Sequence, residues 1–148
     1  MSVRRSKRLE VVLGLAQKQR DAADRYLAES RQRLQQAETQ QVQLQNYMLE
    51  YQQQFTQAGQ QGMTTDRLRQ HQAFIGRLEQ ALRQQQETIR VARQQLEQVT
   101  QYWQSVYARF KGIEKLTEKV RQGEQLAQDK REQQQIDERS QRFRGSGL

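Results

Sequence analysis

The side chains with which this sequence could do covalent chemistry are few. It has one histidine, His71, and no cysteine, so thiol nucleophiles, disulfides and cysteine zinc sites are excluded. A histidine-based triad or a His-rich metal site lacks the members to form. The 17 acidic residues are interleaved with 25 basic ones, as where Glu114 and Glu118 alternate with Lys115 and Lys119. That spacing gives weak pairs on a solvated helix face, not two carboxylates held apart for acid–base work. No Gly-rich phosphate loop is present. We therefore expect no enzyme, no metal and no cofactor, with His71 a helix-seam residue rather than a ligand. What remains is the chemistry of contact: aromatic and apolar side chains around 44–51 and 74–85, and basic side chains around 4–8 and 109–121.

Those groups must be positioned by folded elements, and the composition limits which. Of 148 residues 34% are hydrophobic, the mean hydropathy is -1.14, and 33 are glutamine. So few apolar side chains cannot fill a compact core for a chain of this size. Glutamine enrichment can signal a disordered tract. Glutamine is also a good helix former, and the chain has no proline to interrupt a helix. The positions of the apolar residues decide. From Leu9 a spacing of 4 and 3 runs through Leu13, Ala16, Ala23, Leu27, Leu34, Ala37, Leu44, Met48, Tyr51 and Phe55, with Arg20, Ser30 and Gln41 as polar exceptions. A second array starts at Leu68 and runs through His71, Ile75, Leu78, Leu82, Gln85, Ile89, Ala92, Leu96, Val99, Trp103, Val106, Phe110 and Ile113. It persists more weakly through Thr117, Val120 and Ala127. A period of 3.5 residues over this distance is the mark of a left-handed coiled coil.

Between the arrays lies AGQQGMTTD, residues 58–66. Gly59 and Gly62 suit the left-handed conformation that ends a helix, Thr64 or Thr65 can cap the next, and Asp66 is favourable in its first turn. A short connection between amphipathic helices implies antiparallel neighbours. The expected fold is all-α: one long antiparallel two-helix coiled-coil hairpin, with helices over about 6–58 and 67–140, a bend over about 59–66 and a frayed C-terminus. In the favoured register Gln41 faces Gln85, Ala23 faces Trp103, Ala16 faces Phe110 and Leu34 faces Ala92, setting small against large and amide against amide. A register shifted by one heptad sets Gln41 against Leu78 and ranks second. At about 1.5 Å per residue the second helix exceeds roughly 100 Å, which makes the expected molecule a rod without a pocket. The longest apolar run, VVLGLA at 11–16, is too short to span a bilayer or serve as a secretory signal. We expect a reducing, cytoplasmic setting.

Two sets of residues are left over by the seam. Gln40, Tyr47, Phe74 and Ala81 fall at g positions beside the d residues Leu44, Tyr51, Leu78 and Gln85. In an antiparallel hairpin the g edges share one side, so these residues make one patch across both helices near the bend. Such a patch either widens the core or forms a docking surface. At the opposite end Arg4, Arg5, Lys7 and Arg8 lie beside Lys115, Lys119 and Arg121, offset by Glu114, Glu118 and Glu124. This basic tip reads as an insert into an acidic or polar partner, as a polyanion-attracting end, or as an ordinary solvated end. A leucine-zipper DNA reader needs a longer basic helix continuous with a parallel zipper, and the glycine break argues against it.

The stretch KRLEVVLGLAQKQRDAADRYLAESRQRLQQAE resembles the first helix of the bacterial flagellar export protein family FliJ. So do LQNYMLEY before a Gly-containing bend, HQAFIGRLEQAL after it, and YWQSVYARFKGIEKLTEK. The resemblance runs from about residue 4 to about 140, and its specific part is the order of Tyr47, Tyr51, the bend, Gln72, Phe74, Leu78, Trp103 and the 109–119 stretch. It implies a cytoplasmic component of the flagellar type III export apparatus, peripherally associated with the inner membrane at the flagellar base. Its implied partners are a hexameric FliI-like export ATPase, an FlhA-like export-gate protein and export chaperones, with no small-molecule substrate. The family's gate-binding set maps onto Gln40, Leu44, Tyr47, Tyr51, Phe74, Leu78, Ala81 and Gln85. By analogy with a rotary-ATPase stalk, Arg8, Lys111, Lys115, Lys119 and Arg121, with Arg109 nearby, would face the ATPase ring. A stalk protein of a non-flagellar type III secretion system is the nearest alternative, and a basic coiled-coil nucleic-acid binder a more distant one.

Overall fold

A computed structural model describes residues 4–146. The chain forms two antiparallel helices, α1 (Arg5–Gly59) and α2 (Thr65–Ser146), of 55 and 82 residues. Among the described residues there is no strand. The break falls at the glycine pair, but the two glycines do different work. Gly59 is the last residue of α1, and only Gly62 takes a positive φ, of 93°. Successive turn bonds close the bend: Gln61 N–H donates to the Ala58 carbonyl at 3.3 Å and Gly62 N–H to the Gly59 carbonyl at 3.1 Å. Thr64 then caps α2, its Oγ1 accepting the Arg67 N–H at 3.2 Å, with Asp66 in the first turn.

The helix pair divides into two compact units, one of residues 23–103 and one of residues up to Ala22 with those from Gln104 onward. In the first, Ala23, Leu27, Ser30, Ala37, Leu78, Ile89 and Ala92 are buried on the seam. Trp103 Nε1 donates to Asp24 Oδ1 at 2.6 Å, which sets the indole level with fully buried Ala23. A shift of one heptad would have set it level with Ala16, so the favoured register is the one adopted. The expected Gln41–Gln85 amide pair is not formed. The Gln85 amide instead donates to the Ala37 carbonyl at 2.8 Å and to Gln40 Oε1 at 3.3 Å. Its partners lie within one turn of Gln41 along α1, and a backbone carbonyl, with a second lone pair left over by the helix, competes for the amide with the side chain directly opposite. Leu68 is 44% exposed rather than part of the seam, because it lies level with Ala58 in the last turn of α1, where little remains to cover it.

In the second unit Ser6, Ala16, Phe110 and Thr117 are buried. Arg20, a polar residue on the seam, is accommodated by stacking its guanidinium on the Phe110 ring, 4.4 Å from the centroid, and by pairing with Asp21 at 3.0 Å. The seam continues past Val120 through Glu124 and Gln128 rather than through Ala127, which is exposed. The Glu124 carboxylate accepts both the N–H and the hydroxyl of Ser6, at 3.2 and 2.6 Å. It thus caps a free donor in the first turn of α1 from the other helix. These bonds hold the Glu124 pKa below its ordinary value, first through the Ser6 hydroxyl, then the Ser6 N–H, with smaller help from Arg4 and Arg121 against partial burial.

Helix α2 also extends to Ser146 rather than to about 140. From Asp129 to Arg142 every residue is exposed, so burial does not hold this segment. Good helix formers and i,i+4 bonds do, among them Gln125 to Asp129, Gln128 to Glu132 and Gln133 to Asp137. The last two residues of the expected frayed end lie outside the described residues.

Candidate functional site

The residues beside the bend assemble into a run of rings. Tyr47 meets Phe74 edge-on with centroids 6.3 Å apart, and Phe74 tilts against Tyr51 at 4.4 Å. Tyr51 stacks on His71 at 5.3 Å, and His71 stacks in turn on Phe55 at 3.4 Å. The local cause is the heptad. Tyr47, Tyr51 and Phe55 are spaced by four on α1, and His71 and Phe74 by three on α2, so five rings alternate across the seam. Tyr47 is 50% exposed, while Tyr51 and Phe74 are half-buried. The run therefore has four half-buried rings, Phe55, His71, Tyr51 and Phe74, and one open edge at Tyr47.

Of the eight residues expected in the patch, the structure brings Tyr47, Tyr51 and Phe74 into direct contact, and separately joins Gln40 to Gln85. Leu44 and Ala81 are half-buried, and Leu78 is buried. The patch both widens the core and offers a surface: Leu78 belongs to the core, whereas Tyr47 and Gln40 face solvent. Phe55 and His71 join the cluster without having been expected in it, although their seam positions on either side of the bend are signal enough to place them there. His71 Nδ1 is buried without a hydrogen-bond partner. Among the described residues no group of three His, Cys, Asp or Glu side chains converges as metal ligands.

The basic set lies wholly in the other unit. Arg8, Arg109, Lys111, Lys115, Lys119 and Arg121 are all exposed. Arg121 bridges the helices to Glu10 at 2.7 Å and also reaches Glu118 at 3.4 Å. Lys111 pairs with Glu114 at 3.3 Å and lies over the Tyr107 and Phe110 rings. Exposed pairs of this kind contribute about 0–1 kcal/mol each, so these cations can be redirected to a partner at small cost. Lys115 and Arg121 also line, with Leu13 and Thr117, a groove of about 320 Å³. No described helix is long and apolar enough to cross a membrane.

Two long antiparallel helices packed along a heptad seam place the chain in the class of coiled-coil helical hairpins. The chain matches the family described as "Flagellar FliJ protein" over residues 5–146. It is 30% identical over 134 residues to the flagellar FliJ protein of Escherichia coli (strain K12), covering 90% of this chain and 91% of that relative. The flagellar FliJ protein of Salmonella typhi matches to the same extent. No solved structure matches. The chain belongs to the flagellar FliJ family, and with it to flagellum biogenesis and protein export.

Proposed function

We propose that this protein is a non-enzymatic adaptor of the flagellar type III export apparatus. It links the export ATPase ring to the membrane export gate and assists export chaperones. It works in the cytoplasm, held at the inner membrane only through the gate complex. The observation that carries this reading is the half-exposed aromatic run Tyr47–Phe74–Tyr51 beside the bend. An open tyrosine edge backed by packed rings is what a rigid hot spot requires, since its side chains are already ordered before a partner arrives. With Gln40, Leu44, Leu78, Ala81 and Gln85 it forms the gate-facing surface. The exposed cations Arg8, Arg109, Lys111, Lys115, Lys119 and Arg121 serve the ATPase ring, where they bridge subunits and favour ring assembly without chemistry of their own.

The test is a pull-down against a purified FliI-type ATPase and the cytoplasmic part of an FlhA-type gate protein. Wild type should bind both. Tyr47→Ala with Tyr51→Ala should lose the gate, keep the ATPase and retain helicity by circular dichroism. Binding to neither partner by wild type, or unfolding of the double variant together with full gate binding by Tyr47→Ala alone, refutes the assignment.

A further inference from the structure

An open groove of about 430 Å³ lies along the same edge of the helix pair, between residues 33–40 of α1 and 87–95 of α2. Two seam alanines, Ala37 and Ala92, form its floor at 5% and 7% exposure. The two alanines are diagonal neighbours across the seam, and their short side chains leave a trough that longer ones would fill. Val91, a β-branched apolar residue 37% exposed to solvent, forms one wall.

The groove shares its boundary with the aromatic patch. Gln40 lines the groove and accepts the Gln85 amide, which also donates to the carbonyl of Ala37 on the groove floor. The rim charges are not balanced. Glu87 is held by Arg90 through three hydrogen bonds of 2.6–3.1 Å, whereas Arg33 enters no ion pair among the described residues.

We propose that the gate-docking surface continues past Gln40 and Gln85 into this groove, which receives apolar side chains from a helix of the gate partner bearing a carboxylate opposite Arg33. The inference rests on the gate-binding reading above and deepens it. Continuity through Gln40 turns the surface from a spot at the bend into a strip running along both helices. A helix laid along such a strip presents side chains every three or four residues, one set to the rings and the next to the trough.

The test titrates the cytoplasmic part of the gate protein with the full chain carrying Val91→Glu, Thr88→Lys or Tyr47→Ala. Thr88→Lys serves as the second groove variant because that exposed hydroxyl bonds only to the Gln84 carbonyl of its own helix, at 3.1 Å, and can be changed without touching the seam. Val91→Glu and Thr88→Lys should each weaken gate binding by about tenfold or more while ATPase binding and helicity stay as in wild type. Loss of binding by Tyr47→Ala alone, with both groove variants binding as wild type, overturns the groove inference and leaves the patch standing. Wild-type binding by Tyr47→Ala as well removes the gate reading and the groove inference with it. Should Val91→Glu lose its helicity, Thr88→Lys decides. Sedimentation in which the groove variants change only self-association assigns the groove to a second copy of this chain and overturns the proposal.

Discussion

Tyr47 and Tyr51 are one helical turn apart, yet they should respond differently to truncation. Tyr51 is half-buried and packs on two rings, Phe74 at 4.4 Å and His71 at 5.3 Å. Tyr47 is half-exposed and meets one ring, Phe74, edge-on at 6.3 Å. Truncating a fully buried aromatic to alanine costs about 3–5 kcal/mol, and each ring pair contributes about 0.5–1.5 kcal/mol beyond the area it covers. Tyr51 keeps part of its surface open but packs on two rings, so Tyr51→Ala should cost about 2–3 kcal/mol. Tyr47→Ala, which removes a single distant ring pair, should cost about 0.5–1 kcal/mol. Urea unfolding followed by far-ultraviolet circular dichroism reads both, with Trp103 fluorescence as a second probe to test whether the transition is two-state. Equal destabilisation by the two variants, or a larger loss from Tyr47→Ala, would refute the graded packing described above. The gradient also separates packing from recognition, since Tyr47→Ala should lose gate affinity out of proportion to its stability cost.

Two further outcomes follow from the backbone and the charges. Gly62→Ala should destabilise by about 1 kcal/mol because its φ of 93° strains any L side chain, while Gly112→Ala, in the interior of α2 with open space at its Cβ, should stabilise by about 0.5–1 kcal/mol. The opposite signs can be read in one set of thermal melts. Glu124 has a folded-state pKa below its ordinary value of 4.5, so its contribution is present above that value and is lost as pH falls through the folded-state pKa. Ser6→Ala and Glu124→Gln should each flatten the acid limb of a stability-against-pH curve, and an unchanged limb in both would count against the cap.

The fold is legible in the sequence because its signal is distributed: the seam positions from Leu9 to Phe55 and from His71 to Val120 are all buried or half-buried. Register is legible through Trp103, whose bulk needs a small residue opposite, and Ala23 supplies it. The patch is legible where it depends on heptad position alone, as with Tyr47, Tyr51 and Phe74. Individual polar partners are not. Nothing in the periodicity says that Gln85 will prefer a backbone carbonyl to Gln41, or that Ser6 and Glu124 will join at the seam's end, because such bonds depend on side-chain reach across the interface. The exposed run from Asp129 escapes a seam-based reading for a related reason. An exposed helix is decided by local propensity and i,i+4 bonds, to which heptad spacing is blind.

A coiled coil whose seam mixes alanine, serine, glutamine and arginine with leucine gains less from burial per heptad than an all-leucine seam. In this chain the deficit is met locally: rings stack beside the bend, Arg20 covers Phe110, Trp103 anchors to Asp24, and Glu124 caps Ser6. At the bend that same packing has a second consequence. Tyr47 leans on Phe74, which Tyr51 and the neighbouring His71–Phe55 stack support from behind. Weakening the stacked, half-buried end of the run should therefore loosen the exposed end. Substitutions at Phe55 or His71, which need not touch any partner, should reduce gate affinity by freeing the tyrosine edge and raising the entropy lost on docking. Titration of the gate protein with Phe55→Leu reads this directly, and wild-type affinity in a variant whose Tyr47 edge has become mobile would sink the coupling.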